Sequence, residues 1–122
     1  MNITLTHHTS PKPITVFNIS GRIHLGNAQE LRDQAKQEYE RGMNHLLLDL
    51  SGVQSLTSEG LRCIHYIYNL LMPDNAPEGA EKKSPYVKIL NPPAGIRKIL
   101  NVSGFDLFLD IYDNLPEALA SF

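Results

Sequence analysis

Leu46-Leu47-Leu48-Asp49-Leu50-Ser51-Gly52-Val53-Gln54-Ser55-Leu56-Thr57-Ser58-Glu59-Gly60-Leu61-Arg62 decides how this chain folds. Its first part, with His45 before it, is almost continuously apolar rather than alternating, as suits a central strand of a parallel sheet covered on both faces. Ser51-Gly52-Val53-Gln54-Ser55 reads as a loop. A helix then begins near Thr57-Ser58-Glu59, with Thr57 or Ser58 as its N-cap. Leu61, Ile64, Tyr68 and Leu71 form one stripe of that helix, widened by Cys63, Ile67 and Leu70, and Pro73 stops it.

Towards the N-terminus, residues 3–6 alternate apolar and polar, and residues 14–20 resume with Ile14, Val16, Phe17 and Ile19 directed inward. Gly21 marks a bend or bulge before Arg22-Ile23-His24-Leu25, so the opening reads as an antiparallel pair. A helix over residues 27–42 follows. Asn27 and Glu30 fit a capping box, Ala28, Leu31, Ala35 and Tyr39 face inward, and Gly42 suits the helix end.

Towards the C-terminus, residues 72–85 are rich in Pro, Ala, Gly and charge and read as a mobile loop insertion. Residues 86–90 form a strand, and Pro92-Pro93 open a short helix through Ile96, Ile99 and Leu100 that Gly104 ends. Residues 107–112 read as a last strand, and 115–122 as an amphipathic helix with Leu115, Ala118 and Leu119 inward. The expectation is an α/β fold in one domain over residues 1–122. It has a mixed, mostly parallel sheet, an N-terminal antiparallel hairpin and about four helices.

A chain of 122 residues, 42% hydrophobic, is long and apolar enough to bury one core. With 11 basic against 13 acidic side chains it shows no electrostatic footprint for nucleic acid. No apolar run reaches the roughly 18–20 residues of a membrane span, and the first residues lack the pattern of a signal peptide, so a cytoplasmic protein without direct membrane insertion is expected. Phosphate-loop, dinucleotide, zinc-protease and nucleophile-elbow motifs are absent. The single Cys63 and the His residues at 7, 8, 24, 45 and 65 lack metal-ligand spacing, so neither metal nor cofactor is expected. His65 reads as a packed, hydrogen-bonded histidine, and Asp106, Asp110, Asp113 and Glu117 as a solvated face.

Two features bear on function. Asp49 ends the apolar strand, and ligands of open α/β sheets gather beyond the strands' carboxyl ends. Ser58 lies at a helix N-terminus, where a hydroxyl caps the helix and an added phosphate is well tolerated. The residues alone leave the capping and the modification readings both open.

The run 46–53 followed by Thr57-Ser58-Glu59-Gly60-Leu61 resembles the signature of STAS domains, the anti-sigma factor antagonists and their relatives, which are also appended to sulphate transporters. The usual pattern is an apolar strand ending in Asp-Leu-Ser, a short loop, then Asp-Ser-Ser-Gly-Leu. Ser20-Gly21-Arg22-Ile23, the 27–42 helix, the 86–91 strand and residues 99–105 extend the resemblance over nearly the whole chain.

The resemblance implies a binding module rather than an enzyme. Its partner would be an anti-sigma factor that is itself a serine kinase, which the unphosphorylated protein binds and which phosphorylation at Ser58 releases, thereby regulating sigma-factor-dependent transcription. The partner-binding residues would be Asp49, Ser51, Ser55, Thr57, Ser58, Glu59 and Arg62. Thr57 replaces the usual Asp and Glu59 the second Ser, which makes Thr57 an alternative acceptor hydroxyl. The alternative is a non-phosphorylated STAS subunit that docks on a membrane transporter or signalling complex. Nothing in the residues sets an oligomeric state.

Overall fold

The structure is a computed structural model that describes residues 1–9, 12–73 and 83–122. Five strands form one sheet in sequential order: β1 (Asn2–His8), β2 (Ile14–Ile23), β3 (Leu46–Leu56), β4 (Val87–Leu90) and β5 (Ile111–Tyr112). β1 pairs antiparallel with β2, from Asn2 opposite Ser20 to His8 opposite Ile14, and every later pairing is parallel. The helices are α1 (Ala28–Glu40), α2 (Ser58–Leu71), α3 (Ala94–Val102) and α4 (Leu115–Ala120), with a short 3-10 turn at Phe105–Leu107. The expected α/β architecture, a mostly parallel sheet with an antiparallel N-terminal hairpin and four helices, is what forms.

β3 shows why the sequence folds this way. Leu46, Leu48 and Leu50 enter one core with Leu31 and Ala35 of α1 and Ile64 and Ile67 of α2. Leu47 enters a second core on the opposite face, with Ile14, Val16, Leu90 and Ala118 of α4. A period of two thus buries both faces of a continuous apolar run. Complete burial of each such leucine contributes about 1.5–3 kcal/mol.

Four local expectations are corrected. Residues 51–55 are not a loop, because β3 runs on to Leu56. Register shifts against β2, at Asn18/Ser20 and Gly21/Arg22, absorb extra residues in β3 and keep its backbone paired. Asn27 does not cap α1 with its side chain. Its Oδ1 accepts from His24 N at 3.0 Å and its Nδ2 donates to Arg22 O at 2.8 Å, closing the β2–α1 turn instead. Tyr39 is exposed, and Glu38 takes the buried position on that turn of the helix. Residues 107–110 are not strand, and only Ile111–Tyr112 pair with β4.

Gly42, just past α1, has φ +108°, the left-handed conformation expected at a helix end. Of the loop expected at 72–85, residues 74–82 lie outside the described residues. Ser84 within that span is buried. Its Oγ accepts from Tyr86 N and Val87 N, and its own N donates to Phe108 O at 2.9 Å, which fixes the approach to β4.

Candidate functional site at the start of the second helix

The site forms where β2 and β3 end side by side, Arg22 opposite Ser55 and Ile23 opposite Leu56. Thr57 is extended, with φ −89° and ψ 175°, and turns the chain directly into α2. Its N donates to Ile23 O at 3.1 Å, and its Oγ1 donates to the same carbonyl at 3.2 Å. Oγ1 also accepts from Gly60 N at 3.4 Å, which makes Thr57 the N-cap and Ser58 the first helical residue. The Thr57 hydroxyl is therefore engaged as donor and as acceptor. The Ser58 hydroxyl is exposed and makes no hydrogen bond among the described residues.

Gly60 allows this close junction. A Cβ there would come within 2.5 Å of Leu56 Cδ1 and 2.9 Å of Ile23 Cγ2, so the first turn of α2 rests directly on the ends of β2 and β3. Ser58 is thereby carried on rigid backbone rather than on a loop.

Glu59 Oε1 meets Arg62 Nη1 at 3.1 Å, with the two side chains 31% and 71% exposed. Such an exposed pair, three residues apart, contributes only about 0.3–0.5 kcal/mol. Beside it runs a shallow groove of about 650 Å3, lined by Ser58, Leu61, Arg62, His65, Phe105 and Phe108 among others. His65 is exposed on its wall, stacked on Tyr68 with ring centroids 6.2 Å apart, which corrects the expectation of a hydrogen-bonded, packed histidine. Arg32 of α1 also lines the groove and lies 5.5 Å over the Tyr66 ring. Next in sequence to groove-lining Ser103 and Phe108, Val102 and Leu107 are 81% and 65% exposed, and Phe108 itself is 44% exposed, which gives the groove an apolar rim.

Of the expected site residues, Ser55, Thr57, Ser58, Glu59 and Arg62 come together at this end of the sheet. Asp49 and Ser51 do not join them. Asp49 pairs with Asn18 and Leu56 with Ile23, five β2 steps apart, which puts Asp49 about 17 Å from the end of β3. Its Oδ1 accepts from Ser51 N at 3.0 Å where the β2–β3 register shifts, so it holds the bulge in shape. The groove walls from Arg32, Phe105 and Phe108 escaped the sequence reading. The signal for them was present: Leu107-Phe108 is apolar without strand alternation.

Behind the site, Cys63 is fully buried, with its Sγ 3.5 Å from Ala28 O. Burial pushes its thiol up to about 11 against the opposing pull of Arg32, so it stays a neutral core group. Among the described residues, no group of His, Cys, Asp and Glu side chains is arranged to hold a metal ion. Nor is any helix long and apolar enough to cross a membrane.

A five-stranded, mostly parallel sheet with a serine presented at the first turn of its second helix defines a small α/β domain. The STAS domain family matches residues 3–118, and the chain belongs to that family. No curated protein sequence matches it. Solved structures share the fold at low identity. An anti-sigma factor antagonist from Mycobacterium paratuberculosis is 22% identical with TM-score 0.75, over 98% of this chain and 93% of that one. An anti-sigma-factor antagonist (STAS) domain protein from Planctomyces limnophilus is 16% identical with TM-score 0.73, over 98% and 95%. The phosphorylated form of the Bacillus cell fate determinant SpoIIAA is 13% identical with TM-score 0.65, over 96% and 97%.

Proposed function

We propose that this STAS domain is an anti-sigma factor antagonist whose docking on an anti-sigma factor serine kinase is switched off by phosphorylation of Ser58. The observation that carries the reading is the division of labour between adjacent hydroxyls. Thr57 is tied into the turn by its bonds to Ile23 O and Gly60 N, while the Ser58 hydroxyl is exposed beside a groove with an apolar rim. Two of the similar solved structures are anti-sigma factor antagonists and a third is the phosphorylated form of a Bacillus cell fate determinant, which supports the same role for this chain.

The chemistry belongs to the kinase. Ser58 Oγ attacks the γ-phosphorus of ATP, the new O–P bond forms as the bond to ADP breaks, and the hydroxyl proton passes to a base on the kinase. This chain supplies only the acceptor: no hydrogen-bonded base attends Ser58 among the described residues, as a serine nucleophile would need. A group of about −1.5 to −2 charge next to Glu59 then opposes a close interface through repulsion and desolvation. A coupling of about 1–3 kcal/mol, or 5–150-fold in affinity, is the usual scale of such switches.

Incubation with ATP and anti-sigma kinases, followed by mass spectrometric mapping, tests the reading. Label at Ser58 that persists in Thr57→Ala and disappears in Ser58→Ala is the expected result, with weaker binding of the labelled protein. A kinase that binds the protein yet never labels Ser58 would overturn the switch and favour docking without phosphorylation.

A further inference from the structure

Ser58, Arg62 and Tyr66 lie four residues apart along α2, and all three line the groove together with Arg32. Side chains at i and i+4 are neighbours, with Cβ atoms about 5–6 Å apart, well within reach of a guanidinium. Arg62 is 71% exposed and, among the described residues, is held only by the Glu59 carboxylate. Arg32 is fixed over the Tyr66 ring, with its Nε shielded from solvent and its guanidinium also drawn to the Cys63 thiol.

Resting on the reading of Ser58 as phosphoacceptor, we propose that a phosphoryl group there is captured in cis by Arg62, which exchanges Glu59 for the phosphate, with Arg32 as a second guanidinium on the same groove. The exchange favours the phosphate. Glu59 offers one negative charge in a solvent-screened contact, whereas a phosphoserine offers up to two and three strong acceptor oxygens. A guanidinium pairs with such a group through two parallel N–H bonds, which a lysine at this position would not reproduce.

The consequence reaches past the added anion itself. In the unmodified protein the Glu59–Arg62 pair is neutral and Arg62 is available to a partner's acidic group. After capture Arg62 is occupied, Glu59 is unpaired, and the groove presents net negative charge. Release of the partner then comes from a lost cation as well as from a gained anion.

Phosphoserine installed at position 58 by genetic encoding tests this without any kinase. The 31P titration midpoint of the folded protein reports the charge environment of the phosphate, whose second ionisation ordinarily lies near 6. Arg62→Gln is expected to raise the midpoint by about half a pH unit and Arg32→Gln by less, while Glu59→Gln lowers it; 1 M salt shrinks all three differences. On modification the Arg62 Nε–H signal should also move and exchange more slowly with water. Equal midpoints in the parent and Arg62→Gln, with amide spectra showing both folded, overturn the capture. An unchanged Arg32→Gln midpoint removes Arg32 from it. Failure of every kinase to label Ser58 sinks the proposed function and leaves this titration intact, so the two ideas fail separately.

Discussion

Thr57 occupies the position where the family pattern has Asp, and its contacts state what the exchange does. Both residues accept a hydrogen bond from a helix N–H, but only the hydroxyl also donates, here to Ile23 O at 3.2 Å. A carboxylate in its place sets acceptor against acceptor. Thr57→Asp should therefore lower stability by about 1 kcal/mol in urea unfolding, whereas Thr57→Ser stays within about 0.5 kcal/mol of the parent. The sequence offers Thr57 or Ser58 as the cap because both residue types cap well. What separates them is a carbonyl 34 residues away, a tertiary contact invisible to local pattern.

Among the elements, the helices and the core of β3 were legible because burial there follows strict periods. The misreadings share one cause. Polar residues 51–55 looked like a loop, yet pairing with β2 through two register shifts keeps them in the sheet. Residues 107–110, which open with three apolar side chains, looked like strand, yet Leu107 and Phe108 face outward and only Leu109 enters the core. Hydrophobic pattern marks what avoids water, and a partner surface satisfies that requirement as well as a core does. A related trade appears at the C-terminus, beside the short α4. Lys88 of β4 is buried, and its Nζ donates to Ser121 O at 2.8 Å and Ser121 Oγ at 3.1 Å. It also lies 5.0 Å over the Phe122 ring. Phe122→Ala should cost about 1–2 kcal/mol of stability, through lost packing and the lost cation–π contact. Adding Lys88→Met should recover part of that loss, a coupling that a double-mutant cycle by thermal unfolding would read.

Taken whole, the molecule has two unlike ends. Ser55, Thr57 and Ser58 stand where β3 finishes, and His45 stands just before it begins. His45 Nδ1 is buried without a hydrogen-bond partner among the described residues. Burial, then Lys12 and Lys88, hold its imidazole below the ordinary 6.5. The unfolded chain then takes up this proton more readily than the folded one. The stabilising contribution is complete above pH 6.5 and is lost as the pH falls through the folded-state value. The urea midpoint should accordingly decline as the pH falls below about 6.5, and His45→Gln should flatten that decline.

Leu46 and Leu56 pair with Thr15 and Ile23 of β2, and those eight steps set the ends about 26 Å apart. At physiological ionic strength the electrostatic screening length is about 8 Å, so a proton gained at the histidine pole is almost fully insulated from the serine pole. A proton taken up by His45 loosens the fold from behind without itself altering the charge read at the front.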